Sequence, residues 1–201
     1  MPRTIAQAIS VFSHPLFAPL YGLLLIFHSG TYLSYLPYEV KKVIFLIVLL
    51  NTVVIPLSLF PVLYYRKFIH GITAERPKDR TIPLVIAAAL YGIACYLLAR
   101  LQVSGLIKIF IQSAAVMLVL TAVVSWFWKI SLHMLGMGGL TGLMIAMMIK
   151  LSAALTGILV LLIVLAGVVG TARLYLNKHR PSQIYAGYLS GLGFMLAALL
   201  L

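Results

Sequence analysis

The chain predicts an all-α fold, a polytopic transmembrane helical bundle with six to seven spans. Of its 201 residues 63% are hydrophobic and only 9% are charged. Mean hydropathy is +1.12, and the apolar runs repeatedly reach the ~20 residues that cross a bilayer as a helix. A water-soluble domain of this composition would expose far too much apolar surface. The spans use up the chain, so one integral membrane domain over residues 1–201 is expected.

The first apolar segment, about 15–35, contains Pro15, Pro19 and Gly22. It is either a span or a broken, re-entrant segment. The residues before it lack a plain apolar core and a small-residue cleavage site, so this segment, rather than a cleaved leader, is expected to direct insertion. The second span, about 43–64, carries Pro56 and Pro61, which predict a kink. Spans at about 82–101 and 106–127 follow. Tyr64-Tyr65 and Trp126-Phe127-Trp128 mark headgroup-level ends. In the fifth span, about 132–149, Gly138 and Gly142 stand one helical turn apart. After a sixth span at about 152–172, Gly187 and Gly191 do the same in the seventh, about 182–201. Small residues at that spacing let helix backbones approach closely in lipid. Met144, Met147 and Met148 are expected to face lipid or fill the core, and Cys95 reads as a small mid-span packing residue.

The formal charge is +12, yet the cations sit in short loops between apolar segments. That placement suits anchoring to anionic headgroups, so the expected partners are membrane lipids and not nucleic acid. The acidic residues are Glu39, Glu75 and Asp79 alone. A carboxylate-held metal is therefore not expected, and neither is a cofactor. With no carboxylate in mid-span, a transporter with a buried ion path is disfavoured.

The stretch Thr171-Ala-Arg173-Leu-Tyr-Leu-Asn-Lys-His179-Arg-Pro-Ser-Gln183-Ile-Tyr-Ala-Gly187 lies at the junction of two apolar segments. The Arg173 guanidinium offers a planar fork of donors suited to phosphate, and a histidine beside it suits nucleophilic or acid/base work near neutral pH. Upstream, Lys129-Ile-Ser131-Leu-His133 puts a second histidine at the start of a span. Two spans separate residues 65–81 from Lys129, and two more separate His133 from Arg173. By parity all three polar regions face one side of the membrane. Taken singly, these groups also read as interfacial residues reaching toward headgroups, and His14, His28 and His70 are read that way.

The Arg173–His179 spacing resembles the third motif of the type 2 phosphatidic acid phosphatase superfamily: Ser-Arg, any five residues, then His. Ala172 stands in the serine position, and Pro181, Ile184 and Gly187 resemble the usual continuation. The run Lys129 to His133 is similar to that family's Pro-Ser-Gly-His motif, with Leu132 in place of the glycine. The likeness covers the chain well from about residue 127 onward and poorly before it. It implies a metal-independent phosphatase (a hydrolase) that releases phosphate from a lipid or polyprenyl phosphate monoester. In that reading His179 is the nucleophile that becomes a phosphohistidine. His133 protonates the departing alcohol and then activates water, while Arg173 and Ser131 hold phosphoryl oxygens.

The family's first motif, Lys-x6-Arg-Pro, keeps only its ending at Arg76-Pro77, with Ile69 in the lysine position. Arg76, Arg80 and Lys129 are the candidates to supply the missing phosphate-binding cations. Gln183 occupies the place of the aspartate that orients the nucleophilic ring. It can accept the ring N–H but brings no charge, and in a Ser-His-Asp triad the comparable change to an amide lowers turnover by ~10⁴. The alternative is therefore a catalytically silent relative that binds or carries anionic lipid. Positive-inside would put the motif side in the cytoplasm. Six of its ten cations, however, are candidate or neighbouring phosphate-site groups, and without them the bias vanishes. Bacterial relatives face outward, so the likeness implies a bacterial inner-membrane protein with its site on the periplasmic side.

Overall fold

The computed structural model describes residues 1–66 and 77–201, with side chains described except at 77–80. Every regular element among them is helical, and seven helical stretches are long and apolar enough to cross a membrane. The protein is an all-α, polytopic membrane protein. Its described residues divide into two compact units, Met1–Pro37 with Ile130–Leu201, and Tyr38–Lys129.

In the first unit, α1 (Arg3–Phe12) and α2 (Ala18–Phe27) form one candidate span, interrupted at Ser13–His14 and a single 3-10 turn, Pro15–Phe17. The expected segment at 15–35 is thus displaced toward the N-terminus. Pro15 opens the 3-10 turn and Pro19 lies in the first turn of α2. There a missing N–H costs nothing and a fixed φ is pre-organised, so the prolines start helices instead of ending one. Ser29 and Thr31 close the far end through their side-chain hydroxyls, 2.8 Å apart, around Gly30 at φ +70.

The other helices of this unit are α7 (Leu132–Leu151), α8 (Thr156–Tyr175) and α9 (Pro181–Leu200). The two glycine pairs expected to pack do so against each other's helices. A Cβ on Gly138 would collide with the Tyr188 carbonyl oxygen, and one on Gly191 with that of Leu135. Cβ atoms on Gly142 and Gly187 would lie 2.6 Å from Leu192 O and 2.7 Å from Ser131 O. Only glycine permits this approach, which replaces a hydrophobic drive that lipid does not supply. Met144 and Met147 are fully buried core filler.

In the second unit, α3 (Tyr38–Leu49) runs through a π-helical turn, Leu50–Val54, into α4 (Ile55–Tyr65). The expected kink takes this form because the Pro56 ring crowds the carbonyl four residues earlier, and a wider turn accommodates it. The remaining helices are α5 (Pro77–Arg100) and α6 (Gly105–Val124). Tyr65 and Phe127 are each 86% exposed, as headgroup-level aromatics should be.

Candidate functional site

The first unit gathers the motif residues at one end of its helices. The chain leaves α8 through paired backbone bonds, Lys178 N–H to Arg173 O at 3.1 Å and Asn177 N–H to Leu174 O at 2.9 Å. Asn177 sits between them at φ +52. This is the Schellman arrangement, with asparagine in the left-handed position that it tolerates best after glycine. The reversal is so tight that His179 arrives directly beneath α9. That helix then starts at Pro181, a favoured first-turn residue.

Gln183 lies one turn into α9, buried, and its Oε1 faces two donors. The Arg180 backbone N–H is 3.1 Å away and His179 Nδ1 is 3.2 Å away. A backbone N–H can only donate, so the amide atom between them is the oxygen and the ring must present Nδ1–H to it. In the neutral imidazole the lone pair is then on Nε2. The same side chain caps the helix and fixes the tautomer, which is a structural reason for a glutamine here whatever the chemistry.

Ser131, the residue before α7, is tied to this turn. Its N–H donates to Gln183 O at 3.3 Å, and its carbonyl rests against Gly187. The side chain is fully buried, and its Oγ has no hydrogen-bond partner among the described residues. A buried hydroxyl left in that state costs roughly 1–3 kcal/mol.

His133, buried in the first turn of α7, places Nε2 3.0 Å from Ser10 O. A carbonyl only accepts, so Nε2 carries the proton and Nδ1 the lone pair in the neutral ring. Half-buried Arg173, in the last turn of α8, donates from Nη1 to the Oγ of the same Ser10 at 3.3 Å.

Thus the expected residues His133, Arg173, Ser131, His179 and Gln183 come to one end of one unit. Lys129 is the last residue of the other unit. Arg76 and the Arg80 side chain lie outside the described residues, as does His70.

Two residues at this end were not among the sequence candidates. Ser10 reaches it from α1, and His14 was read as interfacial. The His14 ring is exposed but stands edge-on to His133, with centroids 5.6 Å apart and planes at 78°. The two rings share a cavity of about 20 Å³ with Ser13, Tyr21, Gly136 and Met137, room for roughly one water. The sequence signal for both residues was the polar face Ser10–Ser13–His14 ahead of Pro15.

Among the described residues no three His, Cys, Asp or Glu side chains are grouped as a metal site. The chemistry on offer is a guanidinium, a buried hydroxyl and two imidazoles of defined tautomer, a set suited to an anion with exchangeable oxygens. The fold makes this an integral membrane protein with a polar, cationic end to one helical unit. Comparison with family models, curated proteins and solved structures finds no match to the chain.

Proposed function

We propose that the protein is a metal-independent membrane phosphatase that hydrolyses a lipid or polyprenyl phosphate monoester through a phosphohistidine on His179. The observation that carries this reading is the Gln183 bond to His179 Nδ1 at 3.2 Å. It leaves the Nε2 lone pair for in-line attack on phosphorus. Arg173 clamps phosphoryl oxygens, and the buried Ser131 hydroxyl gains a partner that it lacks among the described residues.

His133 holds Nε2–H on Ser10 O and works through Nδ1. As imidazolium it gives the Nδ1 proton to the departing alcohol, and as the free base it takes a proton from the water that attacks the phosphohistidine. The proton balance therefore closes within one turnover. Arg76, Arg80 and Lys129 are the further cations of this proposal. We place the protein in a bacterial inner membrane with this end toward the periplasm.

A second reading, a silent relative that binds anionic lipid, is favoured by one observation. The group on the His179 ring is a neutral amide with a sufficient capping role of its own.

The test is phosphate release from a panel of lipid phosphates by the purified chain with EDTA present. Vanadate-sensitive release that is abolished in His179→Ala supports the enzyme. In His133→Ala, release from lipid alcohols should fall by roughly 10²–10⁴, the usual scale of general acid–base catalysis, and nitrophenyl phosphate should lose less. Anionic lipid bound with no release from any member of the panel would establish the silent relative instead.

A further inference from the structure

Ser10 is contacted by both His133 and Arg173, through different atoms. Its carbonyl accepts His133 Nε2–H at 3.0 Å, and its hydroxyl oxygen accepts Arg173 Nη1–H at 3.3 Å. A hydroxyl that accepts through a lone pair still has its own proton to give. The neighbour of Arg173 has no such group, since Ala172 is fully buried and carries only a methyl. A phosphoryl dianion held here needs several donors at fixed positions.

We infer that Ser10, 163 residues from Arg173 in sequence, is a further anion-binding residue of this site. Its hydroxyl completes the donor set that Arg173 and Ser131 begin.

The placement follows from α1 itself. Ala6 is that helix's buried residue, and Ser10 follows four positions later on the same stripe. Met1, Ile5 and Phe12 are 46%, 50% and 73% exposed, so apolar side chains point away from the unit while Ser10 points into it. The helix is thereby held by an apolar, lipid-suited face on one side and by the site on the other. The fully buried Ser131 Oγ, with no partner among the described residues, independently marks a ligand position at the same end of the unit. In the bound state Arg173 keeps Ser10 Oγ as an acceptor, and the Ser10 proton turns onto the anion.

This inference rests on the phosphatase reading for the identity of the anion, and its test separates the two. Vanadate binding to the full chain in detergent is measured by calorimetry for wild type, Ser10→Ala, Ser10→Thr and Ser10→Cys, with thermal unfolding in parallel. Loss of one hydrogen bond to a charged partner predicts about ten- to a hundredfold weaker binding in Ser10→Ala. Ser10→Thr, which keeps the hydroxyl, should stay within about threefold of wild type. If Ser10→Ala does not fold, Ser10→Cys keeps the volume with a much weaker donor and should show the same loss. Equal affinity in all variants overturns the inference and leaves the phosphatase reading standing. Tighter binding in Ser10→Ala also overturns it, because Ser10 would then be holding Arg173 away from the anion. No vanadate binding by wild type would sink both.

Discussion

Gln183 is where structural and chemical demands meet in one side chain. Its oxygen takes the Arg180 N–H at the start of α9 and the His179 Nδ1 proton together. A carboxylate can make the same two bonds and adds a charge. Gln183→Glu, which keeps the side-chain length, is therefore expected to keep the fold and raise turnover by at least ~10-fold, because phosphorylation of Nε2 leaves a positive ring that the carboxylate stabilises. The sign on pH follows. A carboxylate favours the protonated ring, so the free base needed for attack is reached at higher pH, and the acid limb of the rate profile moves up. Kinetics over pH on the two proteins measure both effects. Pairing of the new carboxylate with Arg180 or Lys178 would leave rate and profile unchanged, and a lower rate in a folded protein would show that Gln183 serves the substrate directly.

Of the site residues, Arg173, His179 and Gln183 were legible because they lie within one turn and its flanks, where spacing nearly determines geometry. Ser131 and His133 were legible as a pair, but their link to Gln183 needed the packing of α7 on α9. Ser10 and His14 were not legible. Their contacts span more than a hundred residues for Ser10, and the helix that carries Ser10 lies ahead of the segment that hydropathy marked.

At the scale of elements, the α7–α9 seam sets the position of the site. Both glycine spacings were readable as close-packing faces, because small residues one turn apart have few other uses in lipid. That the two faces meet each other was not readable, since neither carries a mark of its partner. The seam brings Ser131 onto the first turn of α9, so its disruption should reach the site. Gly138→Leu would drive a side chain into the Tyr188 carbonyl. Overpacking usually costs about 1–3 kcal/mol, and backbone on both sides leaves little room to relax. Thermal unfolding in detergent should show a lower midpoint, with activity lost alongside it. Gly157→Leu is the control, because a Cβ there meets nothing within 4 Å, and it should leave the midpoint near wild type. An unchanged midpoint in Gly138→Leu would mean that the seam is looser than described.

The same scale shows where hydropathy succeeds and where it fails. The five spans from α5 to α9 and the long Tyr38–Tyr65 stretch were placed to within a few residues, because ~20 apolar residues in a row have one stable arrangement in a bilayer. The first span was misplaced. Its early half, α1, is amphipathic and carries Arg3, Gln7 and Ser10, so average hydropathy undervalues it, while Pro15 and Pro19 look like breaks although they begin helices.

At the scale of the whole molecule, the chain is a membrane protein of seven candidate spans among its described residues that concentrates a guanidinium, three imidazoles and a buried hydroxyl at one end of its first unit. Such groups are expensive to hold near a bilayer, and they are characteristic of functional sites there. The central claim is that His179 carries the phosphoryl group during turnover. The most direct measurement is to quench the purified protein in the steady state with radiolabelled lipid phosphate and map the label. Turnover through His179 requires an acid-labile, alkali-stable phosphoryl group on the peptide that bears it, absent in His179→Ala and chased by unlabelled substrate. Phosphate release with no label on that peptide, or label on any other residue, would contradict it.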